Sequence, residues 1–328
     1  MLTYLRDSLQ FFLLIIVWVV VGIYTGPLLF VVLPLTVFLL KSREMWAEMV
    51  FGFLMILVLS DMTPLLTSMK VVKDAKNTYI VALTLIFALE RYRFFPYSRL
   101  FNIFLPFFLY SLFPLVFSNN LAVALQKTLS FALMYLIVPN YVLYNFRNQG
   151  WPFFKNLVFF MCAILVAGLG MNFMGDFWAY VGGRFRGLFG NPNGMAIYCY
   201  LVIVLSTVVM SLKKDLFTWK EKLVVFGILT YFLLASGSRA SLVSSLIFLI
   251  FHRFFSASPF IGFIGLIALF GVSEVVSNNM ESIVIALGME KYFRLETLRD
   301  GSGRYFAWEF TWGHIQDYFV FGGGFAND

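Results

Sequence analysis

Long apolar segments, separated by short polar ones, make up most of this chain. A helix needs about 20 apolar residues to cross the roughly 30 Å hydrocarbon core of a membrane, and shorter segments are tolerated within a bundle. Segments of this kind predict helices at residues 9–25, 27–40, 46–62, 78–90, 99–118, 121–144, 154–174, 191–211, 222–237, 239–254 and 258–276. Their apolar residues run continuously and do not alternate with polar ones, as the strands of a membrane barrel would. The pattern therefore predicts an all-α, polytopic helical membrane protein with about eleven transmembrane spans.

Composition supports this class. The chain is 61% hydrophobic and only 12% charged, and a soluble domain needs more polar surface than that to face water. The net charge of +7 could indicate nucleic acid, but the basic residues form short clusters between apolar segments. The tendency of cytoplasmic loops to carry Lys and Arg explains those clusters better. Cys162 and Cys199 lie inside apolar segments, which predicts small core residues and no disulfide or metal site.

The distribution of basic residues predicts the orientation. With a cytoplasmic N-terminus, the inside loops contain Lys41, Arg43, Arg91, Arg93, Arg99, Arg147, Lys155, Lys213, Lys214, Lys220, Lys222 and Arg253. Such a bias is typical of cytoplasmic loops. Lys70, Lys73 and Lys76 fall outside and count against this topology. Arg184, Arg186, Arg239 and those of residues 277–328 also fall outside, where a functional anion site would account for them.

The segment 223–251 is nearly continuous in apolar residues but contains Ser236-Gly237-Ser238-Arg239 at its centre. A single helix would be about 44 Å long, and it would bury an arginine near the centre of the bilayer. We therefore expect two helices with a bend at Gly237, which leaves Arg239 recessed below the outer surface and facing a polar cavity. A single helix would reverse every later side assignment.

The final stretch, residues 277–328, is richer in charge than the rest and contains two glycine-rich turns, Gly301-Ser302-Gly303 and Gly322-Gly323-Gly324. It predicts an extracytoplasmic loop with short amphipathic helices. The chain is therefore divided into a transmembrane bundle at 1–276 and a periplasmic loop at 277–328. Because it stops on a glycine-rich turn, we expect the loop to be incomplete.

The most distinctive stretch is Gly183–Ala196, which reads G-R-F-R-G-L-F-G-N-P-N-G-M-A. It predicts a tight turn that leads into a helix. Asn191 suits the N-cap, and Pro192 suits the first helical position because its missing N–H would be unpaired there anyway. A helix N-terminus beside arginines is an anion site, since arginine binds phosphate oxygens bidentately.

Each arginine of this candidate site has an alternative explanation. Arg184 and Arg186 could be interfacial anchors that extend to lipid headgroups. Arg239 could bind a structural partner such as a helix carbonyl, or it could contact the same anion as the other two. Gly187 and Gly190 would let the backbone approach a ligand closely.

Other chemistry is weakly indicated. His252 lies at a predicted cytoplasmic helix end and is best interpreted as interfacial. His314 lies in a predicted amphipathic helix around Trp308–Asp317 and is a candidate base or a packing residue. Asp61, Glu90 and Glu274 lie near span ends, which disfavours a proton-coupled pump. The sequence has no nucleotide-binding loop and no cluster of metal ligands, so it predicts no cofactor.

Three motifs together resemble the O-antigen ligase and polysaccharide (Wzy-type) polymerase superfamily of bacterial inner membranes. They are Gly183–Ala196, then Ser236-Gly237-Ser238-Arg239, and then Arg304…Trp308…Phe321-Gly322-Gly323-Gly324. That family has an arginine shortly before G-x-F-x-N-P-N, a later S-x-S-R, and a long extracytoplasmic loop with a G-x-G turn. The resemblance covers about the second half of the chain.

The resemblance implies a metal-independent, inverting glycosyltransferase of the inner membrane that moves a glycan from undecaprenyl diphosphate to an acceptor at the periplasmic face. The acceptor would be a glycan on another repeat-unit lipid, a lipid A core or a protein, and nothing separates the polymerase from the ligase. Arg184 matches the motif arginine and Arg239 the S-x-S-R arginine, and both would stabilise the charge that builds on the diphosphate. Other residues implied to bind the diphosphate are Arg186, Gly187, Asn191, Asn193 and Ser238, with Arg304 and His314 as further loop candidates.

One feature of the family is missing from this sequence. The family has an essential histidine, usually in His-Asn, in the long loop after the G-x-G turn, whereas this chain stops at Asp328. His314 precedes the turn and does not correspond to it. We expect the catalytic base to lie beyond Asp328.

Two other classes of function compete with the transferase. A secondary transporter or flippase could use the same arginines for an anionic or lipid-linked substrate, but it predicts inverted repeats and broken helices at the midplane. The sequence shows neither. A structural or receptor-like membrane protein would not need repeated outside arginines.

Overall fold

The described part of the chain is almost wholly helical, as its apolar pattern predicts. The structure is a computed structural model, and it describes residues 8–62, 67–118, 120–286, 288, 304–317, 319 and 322. In the first half the α-helices are α1 Leu9–Tyr24, α2 Leu29–Ser42, α3 Trp46–Asp61, α4 Val72–Leu89, α5 Leu100–Ser111, α6 Leu121–Gln149 and α7 Trp151–Ala167.

The second half continues with a short β-hairpin and further helices. These elements are α8 Asp176–Ala179, β1 Tyr180–Val181, β2 Arg184–Phe185, α9 Pro192–Leu212, α10 Trp219–Ala235, α11 Arg239–Ala257, α12 Pro259–Asn278, α13 Met280–Ala286 and α14 Arg304–Asp317. Short 3₁₀ helices occupy Thr67–Val71, Arg91–Phe94, Phe113–Phe117 and Gly168–Met174. The predicted all-α class is confirmed.

Every predicted span coincides with a helical segment, although the bounds differ by up to six residues at α4. Among the described residues, four segments are long and apolar enough to cross a membrane by length and composition: Leu121–Gln149, Trp151–Met174, Pro192–Leu212 and Arg239–Ala257. Shorter apolar helices include Leu9–Tyr24 and Leu29–Ser42. These helices indicate a membrane-embedded protein. The count of eleven spans stays a prediction.

Aromatic rings and buried hydrogen bonds hold the bundle together. Phe51 on α3 stacks on Phe153 and Phe160 of α7, with ring centroids 5.8 and 5.2 Å apart. The Tyr79 hydroxyl of α4 donates to the Met49 carbonyl at 2.9 Å. Lipid is as apolar as these side chains, so close packing and such internal hydrogen bonds stabilise a membrane bundle more than hydrophobic burial does.

The predicted bend at Gly237 is confirmed. Helix α10 ends at Ala235, Gly237 adopts φ +58°, and α11 begins at Arg239. Both helices pack against α9. The segment 223–251 is therefore two helices, as expected from the cost of burying an arginine within one long apolar helix.

Contacts between turns define two ends of the bundle. At one end Asp61 contacts Gly190, and Arg184 contacts Ser236. At the other end Lys155 pairs with Glu221 at 2.9 Å. We call the first the arginine end, since it contains the turn from 183 to 191, and the second the opposite end.

Helix α14 corrects one expectation. It contains His314 and the predicted helical stretch, but its side chains do not separate into an apolar and a polar face. Phe306, Trp308, Phe310 and Trp312 recur every second residue, which places them on two different sides of a helix. The turn Gly301–Gly303 and residues Gly323 and Gly324 lie outside the described residues.

Candidate functional site

The stretch Gly183–Ala196 forms a hairpin followed by a capped helix. Strands β1 and β2 pair Tyr180 with Phe185 and Val181 with Arg184. The two residues between the strands, Gly182 and Gly183, have φ of +56° and +71°. A two-residue hairpin turn with both residues at positive φ requires residues such as glycine. The predicted tight turn is confirmed, and it places Arg184 at the start of the short strand β2.

Asn191 and Pro192 begin α9 as predicted. The Asn191 side-chain oxygen accepts a hydrogen bond from the Gly194 N–H at 2.7 Å, and Pro192 occupies the first turn. The cap satisfies one of the N–H groups that a helix start leaves without an intrahelical partner. Asn191 therefore acts within the protein, and its predicted contact with a diphosphate stays a prediction.

Arg184 joins the two motifs that the sequence separates by about fifty residues. Its Nε donates to the Ser236 carbonyl at 2.6 Å, and its Nη2 donates to the Asn193 side-chain oxygen at 2.7 Å. The arginine is half-buried, whereas Asn193 is exposed. One guanidinium thus connects the start of α9 to the turn between α10 and α11.

Arg186 has a different environment, although it lies only two residues away. It is 5% exposed, and its guanidinium donates to the carbonyls of Phe177 at 2.6 Å, Trp178 at 3.1 Å and Gly190 at 3.4 Å. Burial lowers the pKa of this guanidinium. Arg186 therefore holds α8 and the Gly190 turn together.

At the glycines of the turn, other parts of the protein pack close to the backbone, where the sequence predicted a ligand. A Cβ added at Gly187 would lie 3.3 Å from the Gly168 Cα and 3.2 Å from the Phe185 ring. At Gly190 it would lie 2.5 Å from the Asp61 carbonyl oxygen. The close approach that these glycines permit is thus made by the 3₁₀ helix Gly168–Met174 and by the end of α3.

Asp61 belongs to the site, although the sequence indicated only a residue near a span end. Its carboxylate accepts a hydrogen bond from the Gly190 N–H at 2.8 Å across 129 residues of sequence. A Cβ at Gly194 would lie 3.5 Å from the same carboxylate. An acidic side chain beside the N-terminus of α9 is also favoured by the helix dipole. In the sequence, only the position of Asp61 at the end of an apolar segment could have suggested this role.

The turn after α10 is built by serines. The Ser236 hydroxyl donates to the Leu233 carbonyl at 2.6 Å, and the Ser238 N–H donates to the Ser236 hydroxyl at 3.2 Å. Ser238 is 6% exposed and its hydroxyl reaches Ser241 at 3.4 Å. Arg239, which is half-buried, is the first residue of α11. The predicted diphosphate ligand Ser238 thus faces the protein interior.

The electrostatics of the arginine end favour an anion. Helices α9 and α11, of 21 and 19 residues, both begin there, and each helix N-terminus carries a partial positive charge. Arg184, Arg186 and Arg239 add three positive charges, while Asp61 and Asp176, the first residue of α8, supply two negative charges. Positive charges therefore outnumber negative ones around this turn.

The two loop candidates lie together on one helix. Arg304 is the first residue of α14, and His314 lies on the same helix, exposed, with its ring 4.8 Å from the Phe310 ring. His252 lies near the C-terminal end of α11, and its ring stacks on Phe248 at 5.9 Å. Cys162 and Cys199 are buried core residues, as predicted.

No protein-family model matches the chain, and no curated protein or solved structure resembles it significantly.

Proposed function

We propose that this protein is a membrane glycosyltransferase that moves a glycan from a polyprenyl diphosphate to an acceptor hydroxyl at the outer face of the membrane. The supporting observation is the contact of Arg184 with the Ser236 carbonyl, which brings the G-R-F-R-G-L-F-G-N-P-N stretch against the S-G-S-R turn. These are two of the three motifs on which the resemblance to O-antigen ligases and polymerases depends.

In this proposal Arg184 and Arg239 contact the diphosphate. The acceptor oxygen attacks the anomeric carbon and its proton passes to a general base, while the anomeric C–O bond breaks and its electron pair stays on the diphosphate. Guanidinium groups and two helix N-termini stabilise the charge that develops there. Arg186 serves as a positioning residue, because its N–H groups bind the carbonyls that shape the turn.

The proposal is tested in the full-length protein with Arg184 and Arg239 each replaced by Ala and by Lys. We expect Arg184→Ala and Arg239→Ala to reduce glycan transfer by at least a hundredfold and to cause the lipid-linked donor to accumulate. Lysine should rescue poorly, since it lacks the planar fork that binds two phosphate oxygens. Arg253→Ala, at the opposite end of the same helix α11, is the matched control and should leave transfer unchanged.

Purified donor and acceptor distinguish the candidate activities. A transferase releases free polyprenyl diphosphate in detergent solution, whereas a transporter or flippase needs a sealed vesicle and leaves the donor chemically intact. Movement of the donor across vesicles without release of diphosphate would contradict the transferase. Normal transfer by all four arginine variants would also contradict it.

A further inference from the structure

A second basic site lies between α4 and α6, and none of the three arginines lines it. It is a cavity of about 440 Å³ whose lining includes Lys73, Lys76, Asn77, Lys127 and Ser130. The lysines come from the first two turns of α4 and α6, which are neighbours in the bundle. The Ser130 hydroxyl donates to the Asn77 side-chain oxygen at 2.9 Å and joins those helices at the cavity.

The charged residues that line this cavity have an excess of positive charge. Within the part of the chain that the structure describes, none of Lys73, Lys76 and Lys127 forms an ion pair, and Asp74 is the one acidic residue of the lining. Burial, followed by the neighbouring Lys73, lowers the pKa of Lys76, which precedes the predicted span 78–90. Three lysines against one aspartate leave a positive charge that an anion would offset.

A second cavity adjoins the first. It has a volume of about 410 Å³ and an almost wholly apolar lining that includes Leu54, Val138, Val142 and Leu205. Leu57 and Met134 line both cavities, so the two spaces lie side by side. The pair thus offers cations at one end and hydrocarbon at the other. A phosphate carrying an aliphatic chain matches both halves, whereas a free phosphate ion would use only the first.

The basic cavity lies towards the arginine end of the bundle. Leu57 of α3 lines it, and Asp61, which contacts Gly190, follows one helical turn later, about 6 Å along the axis. The predicted topology places Lys73 and Lys76 outside, where they contradict the usual bias of cytoplasmic loops. A ligand for these lysines gives them a role at that face.

We propose that the lysine cavity and the adjoining apolar cavity together bind a lipid through its phosphate group, with the aliphatic chain in the apolar half. The ligand class is a lipid phosphate with an exposed phosphate group, and the proposal does not depend on the transferase activity. Each lysine contributes one ammonium donor to the phosphate oxygens, and the chain packs between α3 and α6.

The test uses the full chain in phosphatidylcholine nanodiscs that contain a phosphatidic acid with a diazirine in its acyl chain. After irradiation we expect the label on peptides of α3 and α6 that line the apolar cavity, around Leu54 and Val138. The triple variant Lys73→Gln, Lys76→Gln and Lys127→Gln should lose at least fivefold of that label. Lys70→Gln, which removes a nearby charge outside the cavity, is the matched control and should keep it.

Further arms separate the outcomes. Lys76→Arg keeps the charge and should keep the label, which distinguishes a binding role from a folding defect. A phosphatidylcholine analogue with the same diazirine should label the cavity peptides weakly. Equal labelling by both lipids, or full labelling of the triple variant, would overturn the proposal. In the last arm, inorganic phosphate is added as a competitor at the same concentration as the lipid. Loss of the label would show that the acyl chain does not contribute to binding, and it would overturn the proposed lipid site.

Discussion

At the scale of single residues, Gly237 lies close to the Arg184 side chain in the turn between α10 and α11. The residue has φ +58°, and a Cβ placed there would lie 3.3 Å from the Arg184 Nε. Positive φ costs a non-glycine residue roughly 1–2 kcal/mol. The same glycine therefore bends the chain between α10 and α11 and leaves room for the guanidinium.

Gly237→Ala should shift Arg184 by a few tenths of an ångström relative to the Ser236 carbonyl and reduce stability by about 1–2 kcal/mol. For the proposed transferase we expect glycan transfer to fall at least tenfold. Gly227→Ala, on the neighbouring helix α10, is the control, because no atom lies within 4 Å of its added Cβ. Its activity and melting temperature should stay near those of the parent. Equal activity of the two variants would contradict the role of Gly237.

Arg184 and Arg186 show how differently two identical side chains can be used. They are two residues apart on and beside β2, yet one contacts the α10–α11 turn and the other is enclosed by carbonyls of α8 and Gly190. Alternation along a strand places them on the same side, so the sequence offers no reason to separate them. The neighbouring helices separate their roles.

At the scale of elements, the N-terminus of α10 combines a local cap with a tertiary ion pair. Thr218 and Glu221 form a capping box, and the Glu221 carboxylate also accepts from Lys155 of α7 at 2.9 Å. Burial raises the pKa of Glu221, but the hydrogen bonds from Lys155 and Thr218 outweigh it, and the net pKa is lowered. The charged form is thus favoured in the folded protein.

Replacing Glu221 with Gln keeps the capping box possible and removes only the charge. At pH 7 the variant should lose about 1 kcal/mol of stability, discounted for partial exposure of the pair. A lowered pKa in the folded state contributes stability above the unfolded pKa of about 4.3, and this is lost as pH falls through the folded pKa. The difference in melting temperature between Glu221→Gln and the parent should therefore shrink at acid pH.

Glu44→Gln is the control for this experiment. Its side chain is 75% exposed and lies 3.9 Å from Arg93, so its removal should hardly change stability at any pH. A melting difference for Glu221→Gln that stayed constant between pH 7 and pH 3 would contradict the ion-pair argument.

At the scale of the whole molecule, the contacts divide the turns between two ends. Asp61, Arg184 and Ser236 lie at the arginine end, and Lys155 pairs with Glu221 at the opposite end. Helix α9 runs between them with 21 residues, or about 32 Å, which matches the hydrocarbon core of a membrane. If the bundle spans the membrane, each end faces a different side.

Cysteine labelling in cells tests the orientation. Phe173→Cys, where Phe173 is 95% exposed at the arginine end, should react with an impermeant maleimide on intact spheroplasts. Lys214→Cys, which follows α9, should react only after lysis. The native Cys162 and Cys199 are buried, so the parent provides a low background. The reverse labelling pattern would place the arginines on the cytoplasmic side and remove the basis for an outer-face transferase.

The sequence by itself determined the helical class, the approximate bounds of the helices, the cap at Asn191 and the bend at Gly237. These features depend on local physics, namely the length of apolar segments, the N–H groups of a helix start and the cost of an arginine in an apolar helix. The resemblance to glycan ligases and polymerases also comes from sequence, and it stays a prediction.

Only the tertiary structure decided which residues share a site. It brought Asp61 to Gly190 across 129 residues, enclosed Arg186 in backbone carbonyls, and aligned lysines of α4 and α6 around one cavity. Apolar spacing shows that a helix has to pack but does not specify its partner, because most apolar side chains can fill many similar neighbouring surfaces. The pairing of helices, and with it the surroundings of each charge, therefore depends on the packed bundle as a whole.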